Sequence, residues 1–269
     1  MRKFMATLII ILLITGNLTH GSRVYADRQE WLDTSDVGKG IIHVQYDVKS
    51  LVRTKVQIAK GQEKYTYNLV PGKKSEVFPL QMGNGEYSIT LLEQTSGKLY
   101  QILEQKKVNL KLSNSSRVYL NSIQNVDWTT TKQAAAKARE LTKGKKTDTD
   151  KVRAIYNYII TTVNYDKQLA ANLPSDGYLP EMDVTMASRK AICYGYSSLF
   201  AGMVRSVGIP AKLNMGTSAY VDTYHAWNEV YLDGKWITID TTVDATWKKS
   251  KTNITMIKDS SKYQVEKAY

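Results

Sequence analysis

A chain of 269 residues, 42% of them hydrophobic, is long enough for two domains or one large one. Its single cysteine excludes a disulfide-stapled scaffold, and no stretch beyond residue 15 is long and apolar enough for a membrane helix. The formal charge of +12 favours polyanionic surroundings, but no nucleic-acid-binding motif accompanies it, so nucleic acid is not an expected partner.

The chain opens on a basic Met1-Arg2-Lys3, followed by an apolar run, Phe4 to Thr15, too short to span a bilayer. Val24-Tyr25-Ala26 then places small residues where a signal peptidase reads. Residues 1–26 are therefore expected to be a signal peptide, and the mature chain, starting at Asp27, to be secreted, extracellular or cell-wall associated. Cleavage removes Arg2, Lys3 and Arg23 and no acid, which lowers +12 to +9. For an exported protein the matching polyanions are cell-wall polymers or an anionic membrane surface. A generally lysine-rich, solvated surface is the competing reading.

Residues 27–115 read as an antiparallel β-sandwich of Ig-like size. Seven short segments are rich in β-branched and aromatic residues: Ile41–Tyr46, Thr54–Ile58, Tyr65–Leu69, Glu76–Leu80, Glu86–Leu92, Tyr100–Glu104 and Val108–Leu112. Turn signals separate them at Lys60-Gly61, Pro71-Gly72, Gly83-Asn84-Gly85 and Ser96-Gly97. Ser113-Asn114-Ser115-Ser116 begins a polar linker.

Residues 116–269 have a different composition. Lys132 to Lys143 is helix-forming and stops at Gly144. Asp148-Thr149-Asp150 caps a second helix running to about Val163, with Val152, Ile155, Ile159 and Ile160 at helical spacing. Residues 166–188 read as a long loop with Pro174, Gly177 and Pro180. A third helix runs from about Cys193 to Val207 and ends at Gly208-Ile209-Pro210. Strands follow at Ala211–Met215, His225–Leu232 and Trp236–Asp240. The tail from Lys248 is polar and gives little.

Cys193 is the residue that chemistry singles out. A lone thiol in an oxidising compartment is a liability unless it reacts. Its place at a helix start favours a thiolate through the helix dipole, and the free N–H groups there can help form an oxyanion hole. Of the three histidines, His20 leaves with the signal peptide and His43 lies in the sandwich, which leaves His225. Leu232-Asp233-Gly234-Lys235 reads as a two-residue hairpin, so Leu232 pairs with Lys235 and Trp227 falls opposite Asp240. His225, Trp227, Glu229 and Tyr231 then share a face with Trp236, Thr238 and Asp240. His225 and Asp240 are diagonal neighbours on it, roughly 7–8 Å apart at Cα. Ala226, Asn228, Val230, Leu232, Ile237 and Ile239 form the opposite, core face. Cysteine, histidine and aspartate in this order suit thiol acyl transfer. One cysteine and one histidine are too few for zinc, so neither a metal nor a cofactor is expected. Tyr194 and Trp227 are the expected substrate contacts, with Trp227 and Trp236 read as packing walls rather than cofactor contacts. Glu229 reads as a rim residue.

From about Lys132 to Trp247 the chain resembles the bacterial transglutaminase-like superfamily, whose core is related to papain-like cysteine proteases. Cys193-Tyr194-Gly195-Tyr196-Ser197 entering a helix, Gly208-Ile209-Pro210-Ala211 leaving it, His225-Ala226-Trp227-Asn228 and Asp240-Thr241-Thr242 carry the likeness. The resemblance implies an α+β fold with a helix-borne cysteine packed on an antiparallel sheet. It implies Cys193 as nucleophile, His225 as general base and acid, and Asp240 as the group orienting the imidazole. Ile192 and Tyr194 stand where animal crosslinking enzymes carry Gln and Trp, and no Trp lies between Trp128 and Trp227 to serve as their upstream oxyanion donor. The expected activity is therefore a secreted protease, amidase or transglutaminase acting on proteins or cell-wall peptides. The alternative is an envelope-binding or adhesion module that keeps the fold with the triad idle.

Overall fold

The computed structural model describes residues 30–49, 52–174, 177–249 and 254–269. The expected signal peptide lies outside the described residues. The fold is α+β, with antiparallel sheets in both halves and two hydrophobic cores.

Alternating sequence builds the first half. β1 (Leu32–Asp33), β2 (Ile41–Val44) and β5 (Glu76–Pro79) form one sheet in the order β1-β2-β5. β3 (Thr54–Lys60), β4 (Glu63–Asn68), β6 (Gly85–Ser96) and β7 (Leu99–Leu110) form the other, in the order β4-β3-β6-β7. Val56, Ile58, Ile89 and Leu91 point inward from one sheet and Ile42, Val44 and Phe78 from the other. The two strands expected at Tyr100–Glu104 and Val108–Leu112 are instead the single strand β7. Its central Gln105-Lys106-Lys107 reads as a break, but β7 is an outer strand, where charged side chains stay solvated and shield the open edge.

In the second half, α1 (Lys132–Thr142) and α2 (Asp148–Thr162) pack around α5 (Cys193–Arg205). The Thr147 hydroxyl accepts the Asp150 N–H at 3.1 Å and starts α2 at the expected place. The segment expected as loop carries α3 (Lys167–Ala171) and α4 (Met182–Ser188), both too short to leave a periodic pattern. β8 (Asn164–Tyr165), before them, pairs in parallel with β9 (Lys190–Ala191), after them. α5 is buried nearly all round because its sequence is rich in small residues, among them Gly195, Ser197, Ala201 and Gly202.

β10 (Ala211–Ser218), β11 (Val221–Leu232) and β12 (Lys235–Ile239) continue the sheet that α5 lies on. Asp233 and Gly234 take left-handed φ values of 49° and 82°, which is the geometry of a two-residue hairpin turn. Leu232 pairs with Lys235 and Asn228 with Ile239, the register counted from sequence. α6 (Thr241–Lys249) and the final strand β13 (Tyr263–Ala268) are additions to the expected elements. β13 joins the sheet beside β10, giving the order β12-β11-β10-β13. No helix among the described residues is long and apolar enough to cross a membrane.

Candidate active site

Three elements deliver three side chains to one place. Cys193 is the first residue of α5. It follows Ile192, whose backbone is extended (φ −88°, ψ 175°) and whose side chain caps nothing. The first N–H groups of the helix therefore receive no hydrogen bond from an N-cap side chain. β9 ends at Ala191, just before this start, and its pairing with β8 holds the chain there. Cys193 is half-buried, lines the same cavity as His225 and lies close enough to bear on its titration.

His225 lies in β11 and is buried. Its Nε2 is 2.8 Å from Asp240 Oδ2, and Nδ1 is the other ring nitrogen. Burial is the largest influence on the imidazole and opposes its charge. The hydrogen bonds and charges of Asp240 and Cys193 together outweigh it, and the pKa is raised to about 9.

Asp240 ends the hairpin and begins α6. Its Oδ1 accepts the N–H groups of Thr242 at 3.1 Å and Val243 at 3.0 Å, a helix N-cap. Its Oδ2 accepts from His225 and from the Tyr263 hydroxyl, at 3.0 Å. The carboxylate is fully buried, with both oxygens engaged. Four residues on, Asp244 accepts the Tyr156 hydroxyl at 2.8 Å and the Lys258 ammonium at 2.5 Å. Burial raises the Asp244 carboxyl, against the pull of these two partners.

A cavity of about 510 Å³ opens on Cys193 and His225. Besides these two it is lined by Tyr165, Ala170, Leu173, Ile192, Tyr220, Val221, Thr223, Tyr224, Thr242, Val243, Thr246 and Trp247. His225 is the one ionisable imidazole, ammonium, guanidinium or carboxylate group among these residues.

The structure thus brings Cys193, His225 and Asp240 into one neighbourhood: Cys193 and His225 line the same cavity, and His225 hydrogen-bonds Asp240. It places the two expected substrate contacts elsewhere, because neither lines the cavity. The Tyr194 hydroxyl accepts Asn125 Nδ2 at 2.7 Å, and its ring meets Tyr178 edge-on. Trp227 is 1% exposed, held between the His225 ring at 6.2 Å and the Tyr263 ring at 4.9 Å. Adjacency in sequence does not make adjacency in space at a helix start, where successive side chains point about 100° apart. Glu229 pairs with Lys212 at 2.8 Å. Tyr165, Tyr220, Trp247 and Tyr263 are site residues the sequence does not disclose. The alternation in Tyr263-Gln264-Val265-Glu266-Lys267 is a strand signal, but nothing local says that β10 is its partner. Among the described residues no group of three or more His, Cys, Asp or Glu could hold a metal ion.

Residues 135–241 match the family described as the Transglutaminase-like superfamily. The human and mouse kyphoscoliosis peptidases are 31% and 30% identical over 113 residues, covering 38% of this chain and 17% of each relative. The chain thus spans about a sixth of the length of the curated relatives it matches. A transglutaminase crystal structure is 28% identical over 41% of this chain and 30% of its own, with a TM-score of 0.35. The periplasmic domain of TgpA from Pseudomonas aeruginosa is 14% identical over 74% of this chain and 90% of its own, with a TM-score of 0.39. Residues 135–241, which contain Cys193, His225 and Asp240, are a transglutaminase-like domain.

Proposed function

We propose that this chain is a thiol enzyme that attacks amide bonds of proteins or peptides through a thioester on Cys193. The observation that supports it best is the line Cys193–His225–Asp240, opening on a cavity at the uncapped head of α5. The sulfur gives its proton to His225 and attacks the carbonyl carbon. The carbonyl oxygen takes up negative charge facing the free N–H groups of α5. The C–N bond then breaks and the imidazolium protonates the leaving amine. The thioester passes its acyl group to water or to a second amine, and either restores the thiol.

The cavity supports an uncharged carboxamide flanked by apolar or aromatic groups, since its walls carry aromatic and aliphatic side chains and no ammonium, guanidinium or carboxylate. Tyr165 and Tyr224, two of the lining residues, are 41% and 53% exposed, so part of the cavity wall is in contact with solvent. Water at bulk concentration then outruns a dilute amine for the thioester. The reading includes secretion, supported by the basic and apolar start of residues 1–26. It also includes association with anionic cell-wall polymers, supported by the charge of +9 that remains once residues 1–26 are removed.

The test supplies a labelled primary amine at millimolar concentration with a glutamine-containing protein and with peptides bearing apolar, acidic or basic side chains. Mass spectrometry counts hydrolysed against amine-labelled product for wild type and Cys193→Ala. Hydrolysis of the apolar peptides, lost in the variant, is the expected result. Excess amine incorporation would make the protein a crosslinking enzyme. No turnover of any substrate would favour the binding-module reading.

A further inference from the structure

The strand β13 brings Tyr263 to the buried carboxylate from the side of the sheet opposite the hairpin. Its hydroxyl donates to Oδ2 of Asp240 at 3.0 Å, the same oxygen that holds His225 Nε2 at 2.8 Å. Its ring fills the space between Trp227, which stacks on the His225 ring, and Tyr220, which lines the cavity. Burial, with the Asp240 charge behind it, pushes the Tyr263 phenol far above its ordinary range, so it stays a donor at every working pH.

Resting on the Cys193–His225–Asp240 reading, we propose that Tyr263 is a positioning residue for the imidazole. Its hydroxyl fixes Oδ2 on Nε2 and takes up part of that oxygen's charge, which moderates the carboxylate's hold on the imidazolium. A carboxylate oxygen anchored only by the imidazole would follow the ring as it turned. One pinned from two directions, with Oδ1 held by the head of α6, cannot.

The groups that face His225 or its carboxylate from the surrounding elements are few. They are Cys193 on α5, Tyr263 on β13 with Tyr220 against it, Tyr156 on α2, and Asp244 on α6 with its partner Lys258. None of the others donates to Oδ2, so the Tyr263 hydroxyl can be tested by itself.

The test is the pH profile of Cys193 alkylation by iodoacetamide in the full chain, for wild type, Tyr263→Phe and His225→Ala. Phe keeps the ring and its packing and removes the donor. The freed Oδ2 holds the imidazolium more tightly, so the alkaline limb of the profile moves up by about half to one pH unit. Amide turnover near neutral pH falls several-fold while the melting temperature changes little. 3,5-Difluorotyrosine at position 263, a stronger donor of the same shape, moves the limb the other way and serves if the Phe variant does not fold. A Tyr263→Phe profile superimposed on the wild type, or a difluorotyrosine profile that does not move, overturns the proposal. If the wild-type and His225→Ala profiles coincide, the underlying reading fails instead, because His225 then does not act on the thiol.

Discussion

Asp240 does three jobs with two oxygens, and that sets what its substitution can do. Oδ1 caps α6, while Oδ2 binds His225 and Tyr263. Asn at this position keeps a carbonyl oxygen for the cap and turns an NH₂ group toward Nε2. The imidazole must then accept at Nε2 and carry its proton on Nδ1, where it can no longer take the thiol's. Asp240→Asn is expected to lower turnover on the order of 10³–10⁴-fold with a melting temperature close to wild type. Steady-state kinetics beside a thermal melt check both halves, and a variant that unfolds would mean the cap is not preserved. His225, with Asp240 and Cys193 beside it, gives a pH dependence of stability. The unfolded imidazole titrates near 6.5, and His225 in the folded chain near 9. The stabilisation is fully present below pH 6.5 and is lost as the pH rises through about 9. One pKa unit corresponds to about 1.4 kcal/mol, so the stabilisation is on the order of a few kcal/mol. Urea unfolding of wild type and His225→Gln at pH 6 and pH 10 reads it as a gap that closes on the alkaline side. A constant gap would contradict it.

At the scale of elements, the sheet decides whether the site assembles. Gly216 of β10 sits where β13 passes closest. An added Cβ would collide with the Gln264 carbonyl oxygen and lie 3.1 Å from the Glu266 nitrogen. Both are backbone atoms, so the strand itself has to move, and Tyr263 is the residue before Gln264. Gly216→Ala is expected to destabilise the fold by about 1–3 kcal/mol and to slow thiol alkylation. Unchanged melting and alkylation would show that β13 yields without disturbing Asp240. Elements held by local signals are legible in the sequence. The Asp233-Gly234 turn sets the β11–β12 register, and with it the meeting of His225 and Asp240, from spacing alone. The start of α5 at Cys193 is legible in the same way. What depends on distant pairing is not. β13 finds β10 across some fifty residues of chain, and α6 follows from a cap that doubles as the histidine's partner. Trp227 reads as a substrate contact because its face is right, whereas its depth is set by Tyr263, which arrives from β13.

At the scale of the whole molecule, each half has its own core, and the junction is built by residues 121–126 and by the last residues of the chain. Arg205 is buried and donates to the carbonyls of Asn121, Ala211 and Tyr269, each at 2.8 Å. Ser198 donates to the Asn125 carbonyl at 2.8 Å, and Ile123 and Val126 belong to the core of the second half. Across the junction, the Tyr269 ring meets Tyr65 and Tyr67 edge-on, and Gln124 donates to the Asn68 carbonyl at 2.7 Å. A fragment of residues 116–269 is therefore expected to fold and keep its reactive thiol, with a lowered melting temperature. A fragment starting at Trp128 loses the Asn121 and Asn125 acceptors and two core side chains, and should be insoluble or lack a cooperative melt. Equal melting of the two would refute the role given to residues 121–126.

Catalysis as proposed requires the sulfur of Cys193 to form a bond to an acyl group. Intact-mass spectrometry after rapid acid quench detects that bond, with the full chain mixed with an N-acyl aromatic amino acid p-nitroanilide and the product mapped by peptide. The expected result is a transient mass increase equal to the acyl group, located on Cys193, absent in Cys193→Ala and prolonged in Asp240→Asn. Release of p-nitroaniline at an equal rate by wild type and Cys193→Ala, with no acyl group on the cysteine, would contradict it.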